Sequence, residues 1–356
     1  MLVSRVTNSM LKNTLLSNLS MNLSRMDKLQ NQLASGRKYG NISDDPAALI
    51  YGQAARNKQA RLAHYQSTVE TAQSWLTQTE AGVMEVNKVI GAVYEELVSA
   101  GSVKTPDDKK NLAMVVNQLR DHYVDTLNTA YGDRFVFGGY NTPGDFADGR
   151  GSDGIKPFFF DKDAGVLYFN GQDISSLDGM TPDDFEDAIA NNPVLAKLMG
   201  DVVKFDVGPG IEMPVTMGGM EIVFYTTVDP NSDPPNQPIV RNTFNVLLDV
   251  YNGINADKPE PGVGTEELTQ MIKTVQDAQN HLLTKTAEIG GRQRRLELLD
   301  ARYTQDNLNY EQMRSDAEDA DMAEVIMFLK MAETVYQAAL SAGARVIQPT
   351  LMDFLR

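Results

Sequence analysis

Proline divides this chain. Twelve of its 15 prolines fall between residues 141 and 262, and only Pro46, Pro106 and Pro349 lie outside that block. A proline inside a helix removes a backbone donor and clashes with the preceding turn. The flanks can therefore be long helices, while the middle reads as strands, turns and loops. The middle is also the acidic part, with 20 Asp and Glu against 7 Lys and Arg in a chain of net charge −16. Such a block reads as a solvated, self-repelling surface. An acidic chain is a poor nucleic-acid binder.

The flanks carry helical stripes. Over roughly 5–35, Leu16, Leu23 and Gln30 take one heptad position and Leu19, Met26 and Leu33 the other, the alternation of a coiled-coil seam. Gly36 and Gly40 break it. A second helix opens at Asp45-Pro46, an N-cap followed by a suitable first helical residue. Its stripe is Val69, Leu76, Val83, Ile90 and Leu97 with Ala72, Thr79, Val86 and Val93, and Gly101 ends it. Thr105-Pro106 starts a shorter helix with Leu112, Val116, Leu119, Tyr123 and Ala130 inward. From Thr265 one register runs through Val275, Leu282, Ile289, Leu296, Tyr303 and Met313 to Ala317, then jumps at 316–321. The new stripe is Met322, Val325, Leu329, Ala332, Tyr336, Ala339, Gly343 and Val346. Ile326, Leu340 and Ile347 form a second row, so this last helix is apolar over a broad face. In the middle, strands are expected at 158–160, 166–169, 202–207 and 221–228. Thr181-Pro182 opens a short helix that ends before Pro193, and 244–251 starts another.

The lengths match in pairs. Helices 45–100 and 266–319 are each ~80 Å long, and helices 5–35 and 322–348 each about 40–45 Å. The expected fold is mainly α with a β-rich insert, a nested antiparallel rod of long helices and coiled coil. Residues 1–38 plus 320–356 form the terminal coiled-coil region. Residues 39–140 plus 263–319 form a long-helix bundle with a β-hairpin, and 141–262 an acidic, β-rich outer domain.

Chemistry is scarce. The chain has no cysteine, and His64, His122 and His281 lie far apart, so thiolate chemistry and histidine metal sites are not expected. Gly262-Val263-Gly264 lacks a leading strand and a third glycine. Asp229 to Asp233 has the opening spacing of a calcium loop, but Pro234 stands where the turn glycine belongs. Asp145, Asp148 and Asp153 sit among glycines as turn residues, and Trp75 and Phe158–Phe160 read as packing. No catalytic residue, cofactor or metal is expected, and the chain is not an enzyme. No apolar run is long enough to span a membrane, and the first residues lack the apolar core of a cleavable signal peptide.

The ends are built differently from the rest. Residues 1–40 hold six bases against one acid, and residues 316–356 seven acids against three bases. Opposite charge favours their pairing. Ser17, Asn18, Ser20, Asn22 and Ser24 make the first helix intrinsically weak. Two helices alone leave part of each stripe wet, so the expected assembly interface is Leu16, Leu19, Leu23, Met26 and Leu33 with Met322, Val325, Ile326, Leu329, Tyr336, Leu340, Val346 and Ile347. A mitochondrial transit peptide or a membrane-surface helix would share the basic, Ser-rich N-terminus. Neither explains a matching C-terminal stripe of opposite charge.

The motifs of the flanks carry a resemblance. Gln32-Leu33-Ala34-Ser35-Gly36-Arg37 and Ser43-Asp44-Asp45-Pro46-Ala47-Ala48 resemble the N-terminal signature of the flagellin superfamily. The Asp-Asp-Pro-Ala form is similar to that of its hook–filament junction members. Phe135 to Thr142, Ile289 to Glu297, Asp319 to Glu324, Tyr336 to Leu340 and Leu351 to Leu355 resemble further superfamily segments. The chain departs at Pro349-Thr350 and in its opening Leu2 to Val6. Residues 141–262 match nothing in the pattern. The resemblance implies a structural subunit of the bacterial flagellum, extracellular, exported without a cleavable signal. It implies as partners copies of itself, the neighbouring hook-associated junction protein, flagellin and an export chaperone, with no nucleic acid and no membrane. Ser43, Asp44, Asp45 and Pro46 would form the turn linking inner and outer shells. A flagellin filament subunit, or an exported binding or enzymatic protein using 141–262, are the alternative expectations.

Overall fold

The structure is a computed structural model that describes residues 8–41, 43–100, 105–132, 134–139, 156–200, 202–229, 237–255 and 265–347. Outside them lie Asp145, Asp148, Asp153, the calcium-like loop after Asp229, Gly262–Gly264, the opening Leu2 to Val6, Pro349-Thr350 and Leu351–Leu355. The side chains of Val346 and Ile347 also lie outside them. The chain divides into two compact units, 1–63 with 303–356 and 64–302. Among the described residues no helix is long and apolar enough to cross a membrane.

Among the described residues, five long helices occupy the flanks: α1 (Asn8–Ser35), α2 (Pro46–Ala100), α3 (Pro106–Leu127), α8 (Thr265–Glu318) and α9 (Met322–Ile347). Their starts obey local chemistry. Thr105 accepts a hydrogen bond from the Asp108 amide at 3.2 Å and Pro106 takes the first turn, satisfying a backbone donor that the helix leaves open.

In the unit 64–302, the α2 stripe is the floor of the core. Val69, Ala72, Leu76, Thr79, Val83, Val86, Ile90, Val93 and Leu97 are all fully buried. Val275, Ala278, Leu282, Ile289 and Leu296 of α8 are buried as well. The two helices run antiparallel here, because Glu80 meets Gln293 and Tyr94 meets Gln276. Met313, expected inward, is instead exposed. Ala130 is also exposed, because α3 stops at Leu127 and Ala130 belongs to a strand.

The insert carries helices as well as strands. Just before it, strands β1 (Ala130–Tyr131) and β2 (Arg134–Phe135) form a minimal hairpin; within it, β3 (Phe158–Asp161), β4 (Val166–Phe169) and β5 (Gln172–Asp173) form an antiparallel sheet. The β4–β5 turn is Asn170-Gly171, both at positive φ, the Asn-Gly pair that a two-residue hairpin favours. Helices α4 (Pro182–Asn191) and α5 (Pro193–Gly200) follow, then the hairpin of β6 (Lys204–Gly208) and β7 (Ile211–Pro214). The strand expected at 221–228 starts only at Phe224. Gly219–Val223 is a helical turn, α6, and β8 (Phe224–Asp229) pairs with β9 (Gln237–Asn242). Last comes α7 (Thr243–Asn255), packed on α3. Arg120 of α3 is buried against the faces of Phe160, Phe244 and Tyr251, a cation–π box that desolvates the charge without leaving it isolated. Asn128 closes α3 by exchanging two 2.9 Å hydrogen bonds with the Phe158 backbone. Gly82 of α2 is a contact point, since a Cβ there would lie 2.6 Å from the Phe137 ring.

Candidate assembly interface

The expected interface residues gather in the unit 1–63 with 303–356. Helices α1 and α9 lie antiparallel, with Leu29 near Val325, Asn22 on Ala332 and Leu15 on Gly343. The seam buries Leu29, Val325 and Ala332 and half-buries Met26, Leu33, Phe328 and Leu329. Gly343 allows a close approach, since a Cβ there would stand 2.7 Å from Leu15 Cδ2. Asn22 sits inside the seam and donates from Nδ2 to the Ala332 carbonyl at 3.0 Å.

This geometry corrects the seam expected for α1. Leu19, Met26 and Leu33 face α9, but the second row is Leu15, Asn22 and Leu29. Leu16 and Leu23, one residue further on, are 61% and 47% exposed. Periodicity alone favoured them because Asn22 is polar, and its compensation, a carbonyl more than 300 residues away, is invisible locally. On α9 the seam is Val325, Leu329, Ala332, Tyr336 and Ala339, half-buried or better, while Met322, Ile326 and Leu340 remain exposed. The pair thus covers one strip of each helix and leaves apolar side chains uncovered on both sides of it.

Where α1 ends, Gly36 at φ +70° turns the chain, a conformation that favours glycine. The backbone then pairs with the α8–α9 junction. The Ala320 amide donates to the Gly36 carbonyl at 2.9 Å, and the Lys38 amide to the Glu318 carbonyl at 2.7 Å. Lys38 Nζ adds a 2.9 Å bond to the Asp316 carbonyl. Glu318 is buried, ion-paired with Arg56 and laid against Gly52. None of these partners was legible in the sequence, because each joins residues more than 250 positions apart.

Ser43–Pro46 follows as a self-bonded turn. Asp45 accepts from the amides of Ala48 and Ala47 at 3.0 and 3.1 Å, the N-cap of α2. The Ala48 amide above all, with the Tyr39 hydroxyl, holds its carboxyl below the usual range. Asp44 accepts from the Asn41 amide and meets Lys28 Nζ at 3.2 Å, and these two lower its pKa in that order. A cleft of about 350 Å³ opens beside the turn, lined by Tyr39, Pro46, Leu49, Ile50 and Arg56 among others. Among the described residues no group of three His, Cys, Asp or Glu could hold a metal ion.

One unit thus holds a buried antiparallel pair of long helices, and the other a half-covered pair, α1 and α9. Residues 6–142 match the family described as the bacterial flagellin N-terminal helical region. The chain is similar to flagellar hook-associated protein 3. It is 23% identical over 324 residues to that of Escherichia coli K12, covering 88% of each chain. It is 22% identical over 345 residues to that of Salmonella typhimurium LT2, covering 94% of each. Its fold matches the structure of a putative flagellar hook-associated protein from Vibrio parahaemolyticus with a TM-score of 0.55 and 17% identity, over 78% of this chain and all of that one.

Proposed function

We propose that the chain is a structural, non-enzymatic subunit of the bacterial flagellum that joins hook to filament. The observation that carries this reading is the half-covered terminal pair. Leu16, Leu23, Met322, Ile326 and Leu340 are exposed in the single chain, and contiguous exposed apolar surface marks an interaction site. Residues 1–38 with 320–356 are the assembly region, and Ser43–Pro46 the turn connecting it to the long helices. Its neighbours are copies of itself, the other hook-associated junction protein and flagellin, reached after export with the help of a chaperone. The mechanism is packing: each pair completes its bundle on the flanks of the next and passes torque through that contact. The similarity to hook-associated protein 3 along most of the chain supports a junction subunit over a filament-forming one.

The test is a quadruple variant, Leu16→Asp, Leu23→Asp, Ile326→Asp and Leu340→Asp, in cells that lack the native chain. These positions lie outside the seam, so helicity by circular dichroism should stay unchanged. The cells should lose filaments and release flagellin into the medium. Normal filaments on such cells would overturn the assignment.

A further inference from the structure

The two uncovered flanks of the terminal pair differ chemically. At about 100° per residue, Leu16 and Leu23 fall on one side of the α1 seam and Met10 and Met21 on the other. On α9, Met322, Ile326 and Leu340 fall on one side, and Met327, Met331 and Val335 on the other. The Arg25 guanidinium lies over the Phe328 ring at 5.9 Å, which puts the Met21 side of α1 next to the Met331 side of α9. One flank of the pair is therefore mostly leucine and isoleucine. The other side presents Met21 and Met331, with Met10 and Met327 further round towards the backs of the helices, exposed by 61, 55, 60 and 53%.

We infer that this methionine flank is a site of oxidative modification, taking hydrogen peroxide as its substrate, and that its oxidation blocks assembly. The thioether sulfur attacks one peroxide oxygen. The S–O bond forms as the O–O bond breaks, the sulfur loses two electrons, and the proton of the transferred hydroxyl passes to the departing oxygen, which leaves as water. The product sulfoxide is polar and disrupts a methionine-rich contact. Exposure sets the order of attack. Met213, Met217 and Met220 are each 1% exposed and should keep their thioethers, while other exposed methionines, such as Met84 and Met114, react without consequence for the pair. The leucine–isoleucine flank has one sulfur, Met322, so oxidation acts mainly on one side. The consequence for assembly rests on the proposed function; the pattern of oxidation does not.

The experiment has two arms. Full-length chain is titrated with hydrogen peroxide and each methionine followed by peptide mass spectrometry. Met10, Met21, Met327 and Met331 should gain oxygen while Met213, Met217 and Met220 stay reduced; equal rates for the two groups overturn the site. In cells lacking the native chain, the quadruple Met→Gln variant at 10, 21, 327 and 331 imitates a polar flank and should lose filaments. The matching Met→Leu variant should restore them under peroxide that stops the native chain. Secretion into the medium and circular dichroism check that both variants are exported and folded. Filaments in the Met→Gln cells, or none in the Met→Leu cells, overturn the inference. Filaments in the aspartate variant described above would instead sink the junction reading and leave the mass spectrometry to stand alone.

Discussion

His281 of α8 is buried against the insert, its Nε2 2.8 Å from the Glu221 carbonyl and its ring near Tyr225. The neutral ring donates that bond. Burial is the largest influence and holds its pKa below 6.5; Lys285 acts in the same direction, against the Glu221 carbonyl and Glu288. The unfolded chain therefore takes up a proton first. Stability from this group is complete above its unfolded value and is lost as pH falls from about 6.5 through the lower folded value. His281→Gln keeps a donor without titrating. Its Tm should stay flat between about pH 5 and 7.5, where that of the native chain declines on acidification; identical profiles would contradict this. Gly82 is a second test. Alanine would gain about 1 kcal/mol of helix propensity, but its Cβ would press on the fully buried Phe137 ring, and overpacking costs typically ~1–3 kcal/mol. Gly82→Ala should therefore be neutral to destabilising by about 2 kcal/mol in urea unfolding. Neither role was readable beforehand, since each depends on a neighbour more than 50 positions away.

The helix α1 shows how an element's face is chosen. Its leucines suggested one stripe and its packing used another, shifted by a residue in every second position. Asn22 is the reason, and it carries a prediction. A polar residue at a seam position fixes register at a cost in stability. Asn22→Leu should raise the thermal stability of the α1–α9 pair and let it associate in more than one way, seen as larger and more heterogeneous species by sedimentation of the full chain. A monodisperse variant of unchanged stability would count against this role. On α9, Met322, placed in the stripe, stays exposed. The helix α2 behaved as its stripe announced, because its one polar member, Thr79, donates locally to the Trp75 carbonyl and needs no distant partner. Pro182 and Pro193 likewise sit at the first positions of α4 and α5, as a residue without an amide donor should.

At the scale of the molecule, the α2 row from Val69 to Leu97 lies at 0–1% exposure, while α1 buries only Leu29 among its described residues. Amide exchange in α1 and α9 should therefore outpace that of α2 between 69 and 97 in the free chain, and slow to match it once the chain is assembled. Equal protection in the free chain would remove the case for ends completed by neighbours. What the amino-acid order determined by itself was the placement of the long helices, the strands β3, β4, β6 and β8 of the proline-rich block, and the apolar rows of α2, α8 and α9 apart from Met313 and Met322. Periodicity and proline act within a few residues, so these are local facts. The tertiary structure alone decided which α1 residues are covered, that Gly219–Val223 is helical, and that Glu318 is held by Arg56 over Gly52. Those outcomes depend on surfaces brought together from far along the chain, where one buried polar partner outweighs a local preference of a few tenths of a kcal/mol.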